Sequence, residues 1–286
     1  MTTTPTWASG VARNTAESEA PELWKNLALA WIPTFGPTGF TIRDAGPGRF
    51  DGTITSWPIT NWNTGFSNPK APGYSLEWGP SDTIGSSLYM SAWDPEEFSI
   101  SIWFSRGFTD LDSRFLSLYG AHTDGNNTYG MFYTGNSNTL SCQIIRNGTF
   151  GKALEVPQAE FPQDEWTHIV QTVSASNDLH KVYVNGNQYT DSVGAIGGPY
   201  TGTPSTFTYG IRSTLVSWRN RLGPLTTHSK ALNASEVMSL YNDPLKMFRV
   251  RRRNTGAAPV VGGFVPYPNP RYALTGGMQP MGGGVV

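Results

Sequence analysis

The sequence predicts an all-β protein built as a two-sheet antiparallel sandwich, and three observations carry that prediction. The first is composition: 20 Lys+Arg and 21 Asp+Glu make charged side chains only 14% of 286 residues, well under the roughly 25% usual for a soluble protein. The surface must draw its polarity from Ser, Thr, Asn and Gly, which a solvated helical bundle does not do. The 32 Gly, 21 Pro and 13% aromatic residues suit many short strands joined by tight turns. The second is an apolar period of two in the segments quoted below. The third is an absence: no strand–helix alternation builds a parallel sheet, and no repeat of about 20–50 residues signals a propeller or solenoid.

Residues 1–20, rich in Thr, Ser, Ala and Glu, read as a flexible N-terminal arm. The folded domain is placed at 21–245. It opens with PELWKNLALAW, where Pro21 suits a first helical turn and Leu23, Leu27, Ala30 and Trp31 share a face before Pro33; a short helix running into a strand is expected. FSISIWFS sets Phe98, Ile100, Ile102 and Phe104 on one face and Ser99, Ser101 and Ser105 on the other, a strand with one buried side. Trp103 interrupts the serine face, so that face is expected to be partly covered too.

WTHIVQTV is apolar on both faces and is expected mid-sheet. KVYVNG repeats the alternation with Val182 and Val184, and TFTYGI with Phe207, Tyr209 and Ile211. Asn147-Gly148 and Asn185-Gly186 can supply the two positive φ angles of a type I′ hairpin, and Asp124-Gly125 and Gly135-Asn136 mark further reversals. In NASEVMSLY, Asn233 caps a helix, Glu236 completes the box, and Val237, Leu240 and Tyr241 form its buried stripe. Asp243-Pro244 stops it.

From residue 246 the composition changes to a basic run and then a Gly/Pro-rich C-terminal arm, 246–286. After Asp243 the chain holds Lys246, Arg249, Arg251, Arg252, Arg253 and Arg271 with no acid, so the near-zero net charge of -1 is an acidic body offset by a basic arm. The lone Cys142 allows no internal disulfide and is expected to be a small buried hydrophobe. No apolar run reaches the roughly 18 residues of a membrane span, and the start lacks a basic and then apolar leader. Assembly in the cytoplasm is the expectation, with no membrane partner, and the triplets at Asn126, Asn147 and Asn233 are expected to stay unglycosylated.

GYSLEWGPSDTI, FSISIWF, EWTHIVQTVS, HKVYVNGNQY and HSKALNASEVMSLYNDP, in this order over about residues 22–244, resemble laminin G-like, concanavalin A-like jelly-roll domains. The opening PELWKNLALAWIPTFGPTGFTIRDAGPGRFDGTI is similar to the subset of such domains in bacteriophage and prophage virion proteins. The resemblance implies jelly-roll topology. It leaves function open, because this sandwich hosts sugar binders, calcium-dependent adhesion modules, hydrolases and structural parts.

Glycosidases of this fold carry two carboxylates on one strand face in an E-x-D-x-x-E run, and none exists here. Glu96-Glu97 and Asp164-Glu165 are adjacent pairs, which on a strand would point to opposite faces, while Asp110 and Asp112 lie in the loop-like TDLDS. His122, His168, His180 and His228 are scattered, without H-E-x-x-H or G-x-S-x-G. A non-enzymatic protein is expected. Calcium at the sandwich rim, which relatives often hold, could use Asp44 with Asp51, or Asp124 with Asn126 and Asn127. Turn stabilisation is the preferred role for these acids, since Leu222-Gly223-Pro224 stands where many relatives carry acids; no cofactor is expected.

Of the ten tryptophans, Trp31, Trp78, Trp103 and Trp166 fall in strand-like runs and read as core, leaving Trp57, Trp62 and Phe66 as the candidate glycan-binding cluster. The C-terminal arm supplies the other candidate surface: Arg249, Arg251, Arg252 and Arg253 for acidic partners, with Phe264, Tyr267 and Tyr272 for extended contacts. The leading expectation is a virion structural protein, a capsid decoration protein whose arms bind the major capsid protein or other virion subunits, with a homo-oligomer open. The alternative is a carbohydrate-binding module of a phage appendage that meets host glycans. Nucleic-acid binding through RVRRR is disfavoured, because four clustered arginines on a near-neutral chain are a small electrostatic footprint.

Overall fold

The computed structural model describes residues 11–39, 41–54, 61–68, 72–78, 83–86, 96–106, 116–122, 128–134, 139–146, 149–150, 153–193, 207–211 and 220–251. The chain divides into two units, Met1–Arg251 and Arg252–Val286, and the second lies outside the described residues. The first unit begins with helix α1 (Pro21–Lys25) and strands β1 (Leu27–Trp31), β2 (Thr41–Ile42), β3 (Gly52–Ile54), β4 (Asn61–Phe66), β5 (Gly73–Trp78) and β6 (Thr83–Ser86). There follow β7 (Glu97–Arg106), β8 (Leu116–His122), β9 (Thr128–Thr134), β10 (Thr139–Arg146), β11 (Thr149–Phe150) and β12 (Leu154–Pro157). It closes with β13 (Trp166–Ser174), β14 (Leu179–Val184), β15 (Asn187–Val193), β16 (Phe207–Ile211), β17 (Asn220–His228) and helix α2 (Ala234–Asn242).

These strands form two antiparallel sheets, as the sequence predicts. One runs β15-β14-β13-β7-β17-β5-β4, with β1 also on β17; the other runs β11-β10-β9-β8-β16-β6-β3-β2, with β12 also on β10. The strand expected mid-sheet, β13, lies between β7 and β14 in a continuous register that places His168 opposite Trp103 and Ile169 opposite Ile102. The core follows from the period of two. Phe98, Ile100, Ile102 and Phe104 of β7 meet Leu140, Cys142 and Ile144 of β10 in one buried cluster between the sheets, so Cys142 packs as a small hydrophobe and burial raises its thiol pKa. Asn185 and Gly186 turn β14 into β15 with φ of 49° and 82°, the pair of positive angles a type I′ turn requires. The reversals at Asn147-Gly148, Asp124-Gly125 and Gly135-Asn136 lie outside the described residues.

The serine face of β7 is more completely covered than the alternation predicts. Every residue from Phe98 to Arg106 is buried, because a third layer lies on this sheet. Leu23, Trp24, Val237, Leu240, Met247 and Phe248 pack on Val170 and Tyr183, with Phe248 edge-on to Trp24 at 5.5 Å and to Phe35 at 5.6 Å between ring centres. Ser99 ties this layer to the sheet: its Oγ donates to Lys230 O and accepts from Leu232 N, both at 2.8 Å. A buried hydroxyl with both roles filled carries no desolvation penalty from an unmade bond. Helix α2 starts as expected: Asn233 Oδ1 accepts from the amides of Ser235 and Glu236, and Glu236 Oε2 accepts from Asn233 N at 3.0 Å.

Candidate functional site

The third layer ends before the sheet does, and a cleft opens at its margin. Its volume is about 550 Å³, and it is lined by Ser67, Asn68, Trp103, Asp164, Glu165, Trp166, Tyr241 and Asn242, within the size range of a small-ligand site. Four segments build it. Ser67 and Asn68 follow β4, Trp103 stands on β7, Asp164 and Glu165 turn the chain into Trp166 at the start of β13, and Tyr241 and Asn242 are the last turn of α2.

Aromatic rings hold the cleft in shape. Tyr241 stacks on Trp103 with centres 5.5 Å apart and planes within 7°, and Trp103 stacks in turn on His168 at 5.0 Å. Phe66 meets Trp166 edge-to-face at 4.8 Å and Trp103 at 5.6 Å, and Trp166 Nε1 donates to Gly65 O at 2.8 Å. Such pairs add about 0.5–1.5 kcal/mol each beyond area burial, so the wall is rigid. Gly223 makes room for it: a Cβ there would lie 2.8 Å from the Phe66 ring and 2.9 Å from Trp103 Cβ. Gly223 thus lets an aromatic ring lie against the backbone of β17.

Polar groups sit on the rim. Asp164 adopts a left-handed φ of 60°, which Asp tolerates better than most residues, and its amide donates to Arg106 O at 2.6 Å. Its exposed carboxylate accepts from Arg221 at 3.1 Å. Asp164 and Glu165 therefore occupy a turn, not a strand, and the expectation that an adjacent pair must face opposite ways does not apply to them; both line one cleft. His168 is a core histidine: its Nε2 pairs with Ser101 Oγ at 2.8 Å, and burial lowers its pKa to about 3.

Two of the three residues of the candidate glycan cluster are described, and the structure places them in different surroundings. Trp57 lies outside the described residues. Trp62 is half-buried against the inter-sheet core and donates to Gly39 O at 3.2 Å, whereas Phe66, 2% exposed, packs on Trp103 behind the cleft wall. Of the arm residues, Arg249 pairs with Asp243 at 2.6 Å and Arg251 is exposed; Arg252, Arg253, Phe264, Tyr267 and Tyr272 lie outside the described residues. Asp44 is a turn acid. Both its oxygens are engaged, Oδ1 by the amides of Ala30 and Gly46 and Oδ2 by that of Phe50, while Asp51 Oδ1 accepts from Asp44 N. Asp124, Asn126 and Asn127 lie outside the described residues.

Two antiparallel sheets in this strand order, with a cleft at the margin of the covered face, have the form of a concanavalin A-like domain. Residues 81–238, more than half of the chain, match the concanavalin A-like lectin/glucanases superfamily, and the chain belongs to that superfamily. Among curated proteins none matches. Among solved structures, the fold is similar to the botulinum neurotoxin serotype D ligand-binding domain in complex with N-acetylneuraminic acid, with a TM-score of 0.62 and 14% identity over 78% of this chain and 52% of that one. A botulinum neurotoxin type C structure (0.59, 15%, 77% and 52%) and the binding domain of Paraclostridial Mosquitocidal Protein 1 (0.59, 16%, 77% and 52%) are similar in the same way. The chain spans about half the length of these structures.

Proposed function

We propose that the protein is a non-enzymatic carbohydrate-binding module, carried on a phage appendage, and that the cleft between Trp103, Trp166 and Tyr241 receives a glycan. The observation that carries this reading is the assembly of the half-buried Trp166 and Tyr241 rings, the latter backed by Trp103, with Asn68, Asp164, Glu165 and Asn242 around one opening. The C–H face of a pyranose packs on an aromatic ring, and its hydroxyls donate to carboxylates and exchange bonds with amides. Structures of similar fold point the same way: one holds N-acetylneuraminic acid, and cell entry of the type C neurotoxin depends on interaction with two ganglioside molecules. Binding is favoured over hydrolysis because the sequence holds no E-x-D-x-x-E run to set two carboxylates on one strand face across a scissile bond. The phage setting rests on the resemblance of residues 21–54.

A capsid decoration role would instead reside in residues 249–286. Arg249, the first of them, is already paired with Asp243 inside the fold, so the cleft is the better-supported surface. The test is a glycan array with the whole chain. Asp164→Asn, which also tolerates the positive φ at this turn, and Asn242→Ala, both at exposed positions, should each weaken the best hit at least tenfold, about 1.4 kcal/mol, with thermal melting little changed. Trp62→Ala, whose side chain packs against the inter-sheet core, should leave affinity intact. An array without hits, or hits indifferent to Asp164 and Asn242, overturns the proposal.

A further inference from the structure

We infer that the cleft selects neutral glycans over sialylated ones, an inference that rests on the glycan-binding reading above. Charge carries it. The described lining residues include two carboxylates, Asp164 and Glu165, and no cation. The guanidinium that reaches this rim, Arg221, is bound to Asp164 Oδ1 at 3.1 Å, so its charge is already countered. Asp243, adjacent to Asn242, likewise holds Arg249 at 2.6 Å, which keeps that cation in an internal pair. Glu165 is exposed and has no such counter-ion among the described ion pairs. The bond to Arg221 neutralises Asp164, so the described rim carries one uncompensated negative charge, at Glu165, with hydrogen-bond acceptors at its edge.

Carboxylate acceptors suit the hydroxyl donors of a neutral sugar, and they oppose the ring carboxylate of a sialic acid. Two like charges about 5 Å apart near a protein surface repel by roughly tenfold or more in affinity. Selection against the sialyl group would distinguish this cleft from the serotype D neurotoxin domain that holds N-acetylneuraminic acid.

The experiment uses the whole chain and pairs of glycans that differ only in a terminal N-acetylneuraminic acid, ranked on an array and titrated by calorimetry. The neutral member of each bound pair should bind at least tenfold more tightly. Glu165→Gln should lower the neutral-to-sialylated affinity ratio within each pair several-fold, because the exposed side chain keeps its size and loses its charge. Equal or tighter binding of the sialylated members, or a preference that Glu165→Gln does not move, overturns this inference while the glycan-binding reading stands. Binding of neither member of any pair overturns both.

Discussion

At the scale of single residues, the buried ionisable groups make stability depend on pH in opposing directions. His168 and His228 are buried and hydrogen-bonded, and desolvation lowers both pKa values from 6.5 to about 3. Between those values the unfolded chain binds more protons than the folded one, so each histidine removes stability as pH falls below 6.5, by a few kcal/mol in full. Asp44 acts oppositely. Desolvation outweighs its three backbone hydrogen bonds and raises its pKa from 3.8 to about 6, so the folded state holds the extra proton and gains stability as pH falls through that window. Two histidines outweigh one aspartate, and urea midpoints of the wild type should fall from pH 7 to 4.5. Asp44→Asn should be less stable at pH 7, because its amide nitrogen would face the Phe50 N–H, and its midpoint should fall more steeply. If the difference between the two proteins is the same at both pH values, Asp44 is ionised throughout.

At the scale of elements, two glycines and a cap set the cleft wall. Gly186, at φ 82°, sits under α2, where a Cβ would lie 3.0 Å from Met238 Sδ and from Tyr241 Cδ1. Gly223 sits under Phe66 and Trp103, and Gly223→Ala should cost about 1–3 kcal/mol by overpacking and red-shift the tryptophan emission as Trp103 is displaced. Asn233→Ala should cost about 1 kcal/mol, roughly 2–4 °C in melting temperature for a domain this size, through loss of the cap on α2. These elements differ in how visibly the sequence marks them. The cap, the Asn-Gly hairpin and the alternation in β7 are local patterns, and each is found where its residues stand. The cleft is not local: Phe66, Trp103, Trp166 and Tyr241 come from four segments that only the strand order β13-β7-β17-β5-β4 brings together. Its one sequence mark is Trp103 breaking the serine face of its strand. Trp166 and Tyr241 read as core in the sequence because large aromatics at strand or helix period usually are, and the two acids before Trp166 carry no mark there of the turn they occupy.

At the scale of the molecule, the ends of the described chain are bound to each other. Ala12 N donates to Phe248 O at 2.7 Å, Glu19 N to Arg249 O at 2.9 Å, Arg251 N to Glu17 O at 2.5 Å, and Ser18 Oγ to Met247 O at 2.6 Å. Residues 11–20 thus complete the third layer over side chains contributed by 247–248, both buried. This predicts a sharp threshold for truncation. A chain ending at Arg251 keeps the whole layer and should unfold in one cooperative transition. A chain ending at Leu245 loses Phe248, worth about 3–5 kcal/mol by itself, together with the partners of residues 12–19; its melting temperature should drop by about 10 °C or more, and residues 11–20 should become open to proteolysis. Equal melting of the two chains would sink this account of the layer. The same pair of chains separates the two functions in play. If binding resides in the cleft, the chain ending at Arg251 retains glycan affinity and the chain ending at Leu245 loses it as Tyr241 shifts on a loosened α2. If function resides in residues 252–286, the first truncation already abolishes attachment to the particle and leaves the fold intact.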